Sequence, residues 1–256
     1  IEARKYVPVP ISEVSLDWWM IPKQEQTVFS MGEKVKQQGP GKVEVLIVAI
    51  HNSAVQKYRE IVTKAALEST SFFELETFST IRAVASQEIA PVMVVDMGAA
   101  STKLYIVELG VVRTSHVISR GSQEITIALS KSLDLSIEKA EQMKRTIGLS
   151  PLPEHKATAD TVSLVLDYIT AEARRVLLTY EKRYNTTISK VILTGGGVLL
   201  PGFFEVMSKN FEAEVVYANP FTKVETPAFL GNVLEKAGPE FAVSIGLALR
   251  KLQEFA

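Results

Sequence analysis

The sequence predicts an α/β or α+β protein with mixed sheets in at least two subdomains, because β-meanders and helices alternate without a strict βαβ period. Three stretches support this prediction. Residues 91–119 contain three strand-like segments in succession, and residues 160–184 keep apolar side chains at helical spacing over about seven turns. Residues 191–203, VILTGGGVLLPGF, join an apolar strand to a helix through three glycines.

Composition limits the class of protein. The hydrophobic share of 46% in a chain of 256 residues predicts a globular protein with a sizeable core. The 28 basic and 29 acidic side chains give no excess of positive charge for nucleic acid or lipid headgroups. The lack of cysteine excludes disulfides and thiolate metal sites, as is typical of a reducing cytoplasm. Apolar runs stay below the roughly 20 residues of a membrane span.

The N-terminal part predicts three strands, two helices and one polar loop. The strands are expected at 14–22, 43–50 and 71–78, with the loop between Pro22 and Gly41. Asn52 and Ser53 are candidates to cap the first helix, and a short helix after residue 78 is expected to end before Pro91. The chain opens on Ile1 in a segment typical of a fold's interior, so we expect residues upstream of it.

The C-terminal part predicts five strands and five helices. The strands are expected at 91–98, 104–110, 111–119, 191–194 and 213–217. The helices are expected at 122–133, 136–147, 160–184 and 202–210, with a last one beginning near Pro239. Ser136 is placed to cap the second of these helices, and Gly148 to end it.

The glycine run after the strand at 191–194 does not match two familiar nucleotide motifs. Leu200 stands where the third glycine of a dinucleotide fingerprint belongs, and Phe203 and Phe204 replace the lysine and hydroxyl of a P-loop. The bare backbone of Gly195, Gly196 and Gly197 nevertheless offers N–H groups and a flat surface on which an adenosine can lie. The alternative is that these glycines only form a tight turn.

Residues 94–107, VVDMGAASTKLYIV, predict a hairpin suited to phosphate. A buried strand ends in Asp96, and a turn of small residues leads to the hydroxyl pair Ser101 and Thr102. Backbone amides and hydroxyls of such a turn can surround phosphates, while Asp96 reaches a metal ion through water. A plain β-hairpin, with Lys103 as a surface cation, is the alternative interpretation.

Two further patterns concern titratable side chains. Glu141 and Lys144 lie three residues apart in KAEQMK and share one helix face, as either a binding pair or a weak surface ion pair. His51, His116 and His155 are scattered and show no metal-ligand spacing.

In this order, the segments resemble the superfamily of actin, sugar kinases and Hsp70 ATPases, and within it the FtsA/PilM branch and the PilM family of type IV pilus assembly proteins. The resemblance rests on ARKYVPVPISEVSLDW, VVDMGAASTKLYIV, ISRGSQEIT, KAEQMKRTIG, LTGGGVLLPGF and FAVSIGLALRKL. It implies an actin-like (ribonuclease H-like) fold with an N-terminally incomplete first lobe. The implied parts are an extra subdomain of the FtsA/PilM (SHS2) type at 1–77, a first-lobe helix at 78–90, a second lobe at 91–236 with a helical insertion at about 122–187, and a C-terminal helix at 237–256 returning to the first lobe.

The resemblance also implies an ATP site with Mg²⁺. It implies phosphate contacts from Asp96, Gly98, Ser101 and Thr102, with Asp96 holding the Mg²⁺ through water. It implies that Gly195, Gly196 and Gly197 face the adenosine, with Glu141 near the ribose and Lys144 over the base. Two departures predict weak or no hydrolysis: Ala99, Ala100 and Lys103 replace two glycines and an acid of the family hairpin, and the family's first phosphate loop is expected upstream of Ile1.

By the same resemblance, the function is that of a cytoplasmic scaffold, peripheral to the inner membrane, which docks to the N-terminal cytoplasmic tail of a PilN-like protein and self-associates into rings or filaments. Two alternatives stay open. One is an FtsA-like division filament, which typically carries an amphipathic membrane helix after the core. The other is a kinase of the superfamily, for which Glu76 is the candidate catalytic base.

Overall fold

The computed structural model describes residues 2–21, 45–67, 72–85 and 90–253. The chain divides into two compact units, Ile1–Phe73 and Glu74–Ala256. The loop predicted between Pro22 and Gly41 lies outside the described residues, as do residues 43, 44 and 71 of two predicted strands.

The first unit is a two-stranded antiparallel ribbon followed by a helix. Strand β1, Val14–Met20, pairs with β2, Val45–His51, and α1, Asn52–Lys64, follows β2 directly. The prediction that Asn52 caps α1 is wrong, because Asn52 is the first helical residue. Its side chain instead donates to the Ser12 carbonyl at 3.0 Å and accepts from the Ser15 hydroxyl at 2.8 Å, which ties the start of α1 to the start of β1.

The second unit is built on a mixed five-stranded sheet, as the sequence predicts. Strands β3, β4 and β5 form an antiparallel meander, and β6 and β7 continue the sheet in parallel, giving the order β5-β4-β3-β6-β7. The five strands are Val92–Met97, Thr102–Glu108, Val111–Ile118, Lys190–Thr194 and Glu214–Tyr217. Every residue of β3 is buried, as expected of a central strand covered on both faces.

In the described part of the second unit, six helices cover this sheet. They are α2 Glu76–Val84, α3 Ser122–Ser132, α4 Ile137–Thr146, α5 Lys156–Tyr184, α6 Phe203–Asn210 and α7 Gly231–Gln253. Successive side chains of β3 point to opposite faces. Met93 packs into a large core with the apolar stripe of α5, whereas Val94 packs into a smaller core that includes Ile81 of α2. The sheet therefore has a thick helical layer on one face and a thinner one on the other.

The structure corrects two predicted elements. The strand expected at 71–78 is wrong, because the chain has no regular structure at 72–75 and α2 begins at Glu76. Phe78 and Ile81 lie one helical turn apart and both pack on the smaller core, so tertiary packing overrides the strand propensity of this run.

The last helix does not begin near Pro239, since α7 starts at Gly231 and Pro239 lies inside it. A proline there removes one helical hydrogen bond. Its carbonyl accepts hydrogen bonds from the Gly195 N–H at 2.8 Å and the Thr194 hydroxyl at 3.0 Å. Pro239 therefore marks the point where α7 joins the loop after β6.

None of the helices in the described part of the chain combines the length and the hydrophobicity that a membrane crossing requires.

The packing of α2 against α7 generates a stability prediction. A Cβ added to Gly246 of α7 would meet the backbone of Ser79 in α2, whereas a Cβ on Gly231 of the same helix would meet nothing within 4 Å. We therefore expect Gly246→Ala to lower the free energy of unfolding by about 1–3 kcal/mol through overpacking. Gly231→Ala should leave it within about 0.5 kcal/mol. Urea unfolding of both variants is the measurement, and equal effects would contradict this view of the contact.

Candidate functional site

A cleft of about 740 Å³ opens in the second unit where several elements converge. They are the β3–β4 turn, the start of α3, one face of α4, the glycine loop after β6 and the side chain of Glu240 in α7. The lining residues are Gly98, Ala99, Ser122, Gln123, Thr126, Ile137, Glu138, Glu141, Lys144, Arg145, Gly196, Gly197, Leu199, Leu200 and Glu240.

Parallel pairing of β3 with β6 brings the two predicted binding stretches together. Asp96 and Thr194 are partners at the end of this pair, so the turns that follow leave the same edge of the sheet. Gly195 has φ +87°, and a Cβ there would lie 2.5 Å from the Met97 carbonyl oxygen and 2.6 Å from Asp96 Oδ1. Only glycine therefore allows this close approach.

The β3–β4 turn is fixed by backbone hydrogen bonds. The Gly98 N–H donates to the Ser101 carbonyl at 3.0 Å, and the Gly98 and Ala99 carbonyls accept from the Ser122 and Gln123 N–H groups at 2.9 Å each. These two amides belong to the first turn of α3, so the turn lies against the N-terminal end of that helix. The small side chains of the turn leave its backbone open to the cleft.

Five of the nine predicted site residues line the cleft, namely Gly98, Glu141, Lys144, Gly196 and Gly197, whereas Asp96, Ser101, Thr102 and Gly195 do not. Thr102 is fully buried, and its hydroxyl donates to the Arg120 carbonyl at 2.9 Å. In this structure Thr102 therefore supports the hairpin and does not offer its hydroxyl to the cleft. The carbonyl of Ser101 accepts the Gly98 N–H, so its backbone also closes the turn.

A polar cluster on α3 and α4 forms one wall. The Glu141 carboxylate accepts hydrogen bonds from the Thr126 hydroxyl at 2.6 Å and the Arg145 Nε at 2.7 Å, and it pairs with the Lys144 ammonium at 2.7 Å. Lys144 is buried and also donates to the Thr126 hydroxyl at 3.0 Å and to the Ser122 carbonyl at 3.3 Å. The pair is therefore more than a surface ion pair, because it joins α4 to α3.

These contacts fix the charge of Glu141. Burial raises the pKa of its carboxyl, but the hydrogen bonds from Lys144, Thr126 and Arg145 and the charge of Lys144 outweigh burial and lower the pKa to about 2. The carboxylate is ionised at physiological pH. It presents a fixed acceptor to any hydroxyl that enters the cleft.

Asp96 lies on the opposite sheet face from the large core, only 8% exposed. Burial raises the pKa of its carboxyl, the Lys103 ammonium lowers it and the Glu76 carboxylate raises it further. Within the part of the chain that the structure describes, no three His, Cys, Asp or Glu side chains gather as metal ligands. A single carboxylate such as Asp96 still fits Mg²⁺, because this ion usually keeps several bound waters and takes its remaining ligands from one or two carboxylates and the phosphates of a nucleotide.

The three histidines lie elsewhere. His116 Nε2 is 3.4 Å from Glu172 Oε2, and His155 Nδ1 is 2.8 Å from the Ser150 hydroxyl. His51 ends β2 in the first unit.

Sequence reasoning missed several lining residues. Arg145 has a local signal, since it lies one helical turn after Glu141. Thr126 and Glu240 have none, because each reaches the cleft through long-range packing. Glu240 Oε1 would lie 3.4 Å from a Cβ on Gly196, which places α7 at the rim beside the glycine loop.

Comparison with known proteins gives a consistent family. Residues 1–252 match the family model described as "Type IV pilus assembly protein PilM". The chain is 24% identical to cell division protein FtsA of Neisseria meningitidis over 272 residues, covering 96% of this chain and 64% of FtsA. It is 29% identical to ethanolamine utilization protein EutJ of Escherichia coli over 146 residues, covering 56% of this chain and 48% of EutJ. The chain thus spans less than two thirds of the length of these curated relatives.

Solved structures agree with the predicted actin-like fold. A chain of the PilM-PilN type IV pilus biogenesis complex matches with a TM-score of 0.79 and 27% identity, over 97% of this chain and 69% of that one. MreB5 of Spiroplasma citri bound to ADP matches with a TM-score of 0.58 and 14% identity, over 78% and 65% of the two chains. The archaeal actin homolog Ta0583 matches with a TM-score of 0.51 and 15% identity, over 72% of this chain and 56% of Ta0583. The last two similarities concern the fold alone.

The Glu141 cluster generates a pH prediction. Because the folded pKa is lowered from 4.5 to about 2, the carboxylate stabilises the fold fully above pH 4.5 and loses this contribution as the pH falls towards 2. We expect Glu141→Gln to lower the Tm at neutral pH and to reduce the further loss of Tm on acidification. Thermal unfolding across this range is the measurement. Glu154→Gln, at an exposed position, is the control and should retain the wild-type acid profile.

Proposed function

This chain belongs to the family of type IV pilus assembly protein PilM, and on that basis we propose that it is an actin-like scaffold of the pilus assembly machinery that binds ATP in the cleft. The observation that carries the nucleotide part is the convergence of the Gly98–Ala99 turn, the Gly196–Gly197 backbone and the Glu141 cluster on one cavity. The cavity volume of about 740 Å³ lies within the range of ligand pockets, roughly 300–1,000 Å³.

The adenosine end is proposed to lie against the glycine loop. Gly196 and Gly197 leave a surface without side chains, on which a planar base can approach the backbone. The ionised Glu141 accepts hydrogen bonds from the ribose hydroxyls. The ammonium of Lys144 is held by Thr126 and Glu141, so its contribution to the base is packing of its methylene groups.

The phosphate end is proposed to lie along the β3–β4 turn. Gly98 and Ala99 line this part of the cleft, and the first amides of α3 already donate to their carbonyls, so the backbone of the turn and not the α3 terminus would face the phosphates. Asp96 is the residue that would hold Mg²⁺ through water, and the metal would offset phosphate charge. Thr102 has an indirect role, since its hydroxyl bonds to Arg120.

We favour a scaffold with weak or no hydrolysis over a kinase. Glu76, the candidate base, forms an ion pair with Lys103, so its carboxylate already has a cationic partner. A general base must reach the proton that it abstracts, and Glu76 is not among the residues that line the cleft.

The proposed partner is the N-terminal cytoplasmic tail of a PilN-like inner-membrane protein. Similarity over 97% of this chain to a chain of the PilM-PilN complex supports it, and the family match favours this role over an FtsA-like division filament. The protein would then be cytoplasmic and peripheral to the inner membrane through its partner. Self-association into rings or filaments is part of the same proposal.

Nucleotide binding can be tested at Gly196. A Cβ at this position would meet only the Glu240 side chain, at 3.4 Å, so Gly196→Val should fill the adenosine surface with little strain in the fold. We expect at least about a tenfold loss of ATP affinity by calorimetry. Gly231→Val places the same side chain in open space outside the cleft and should retain wild-type affinity. Equal ATP affinity of both variants would contradict the proposed site.

Partner docking can be tested with a peptide of the cytoplasmic tail of a PilN-like protein. We expect the full-length protein to bind this peptide saturably in a fluorescence-polarisation titration, and a scrambled peptide of the same composition to give no signal. Failure of the full-length protein to distinguish the two peptides would remove the docking proposal and leave the nucleotide proposal to the Gly196 test.

A further inference from the structure

Three charged side chains meet at the base of the β3–β4 hairpin. Asp96 and Lys103 are direct partners in the antiparallel β3–β4 pair, so their side chains leave the same face of the sheet, with Cβ atoms about 5 Å apart. Glu76, the first residue of α2, packs over this face of the sheet and forms an ion pair with the Lys103 ammonium. The Lys103 ammonium is therefore paired with Glu76, and Lys103 is also the cross-strand neighbour of Asp96.

The ion pair with Glu76 contributes little stability by itself. The Glu76 side chain is 48% exposed, and ion pairs at such exposed positions stabilise a fold only slightly. Asp96 is different, because it is 8% exposed and a buried carboxylate is costly unless a charge compensates it. Lys103 is the cation that favours ionised Asp96, whereas Glu76 disfavours it.

Two neutral hydroxyl groups, those of Thr77 and Tyr105, lie on the same face. The Thr77 hydroxyl donates to the Tyr105 hydroxyl at 3.1 Å, and burial together with the charges of Asp96 and Glu76 keeps the pKa of Tyr105 well above its ordinary value. Without Lys103, the cluster would therefore hold two carboxylates and no cation. Such an arrangement attracts a divalent ion.

We propose that in the nucleotide-free protein Lys103 is a built-in cation that compensates Asp96 and Glu76 in place of a divalent metal ion, so that the Mg²⁺ that arrives with a nucleotide adds little and nucleotide binding in this chain depends only weakly on it. The second half of this statement rests on the proposed ATP site, whereas the first half concerns the protein alone. The ammonium offsets the charge of Asp96 that would otherwise oppose a polyphosphate at the neighbouring β3–β4 turn.

The first half is tested without nucleotide, by thermal unfolding during titration with MgCl₂ or MnCl₂. We expect the Tm of Lys103→Met to rise with metal concentration, and the Tm of the wild type, of Lys103→Arg and of the exposed control Lys131→Met to stay constant. Lys103→Gln provides a second neutral variant if the methionine variant does not fold. A Tm of the wild type that rises with metal concentration, and no longer does so in Asp96→Asn, would overturn the proposal. A Tm that does not rise with metal concentration in either neutral variant would also overturn it.

The second half is tested by ATP affinity in Mg²⁺ and in EDTA. By Coulomb's law, one positive charge at about 8 Å from a phosphate charge, at an effective dielectric constant of about 20, changes the affinity for ATP by more than tenfold. We therefore expect EDTA to change the wild-type affinity less than about threefold and that of Lys103→Met more than about tenfold, with Lys103→Arg like the wild type. Equal dependence on Mg²⁺ in wild type and Lys103→Met would overturn this half. Absence of ATP binding in every condition would remove the proposed ATP site and this half with it, and the metal titration would still decide the role of Lys103.

Discussion

The parallel pairing of β3 with β6 is the constraint on which the site depends. It places Asp96 beside Thr194 and sends both following turns off the same edge of the sheet. Gly195 can follow Thr194 only because it has no side chain, since a Cβ would collide with the Met97 carbonyl and with Asp96. One strand pair and one glycine thus join a hairpin suited to phosphate with a loop suited to adenosine.

Helix α7 secures this junction from the side of the smaller core. The Pro239 carbonyl accepts from both the Gly195 N–H and the Thr194 hydroxyl, and the next residue, Glu240, stands at the cleft rim. The same helix packs on α2 through Gly246, and the Gly246 carbonyl accepts a hydrogen bond from Arg82. Helix α7 and the glycine loop are therefore joined by direct hydrogen bonds.

Glu141 in the cleft wall and Asp96 near the end of β3 have different electrostatic surroundings. Glu141 receives hydrogen bonds from three side chains, so it is a fixed anion whose orientation is set by Thr126 and Lys144. Asp96 is buried with fewer partners, and the Lys103 charge is its main compensation. The first arrangement suits the acceptance of a hydroxyl group, and the second leaves the charge of Asp96 compensated mainly by Lys103. The exposed Arg145 adds a further cation at the α4 wall.

Local patterns in the sequence were enough to predict the meander β3–β5, the long helix α5 and a mixed sheet, because apolar periodicity over many residues is a strong signal. The resemblance to the PilM family, and not these local patterns, assigned the five predicted residues that line the cleft. Only the tertiary structure decided that residues 76–84 are a helix, that Pro239 lies inside α7 and that the Thr102 hydroxyl bonds to Arg120. Each of these features depends on a contact with a residue far away in the chain, and local sequence patterns do not contain the free energy of such contacts.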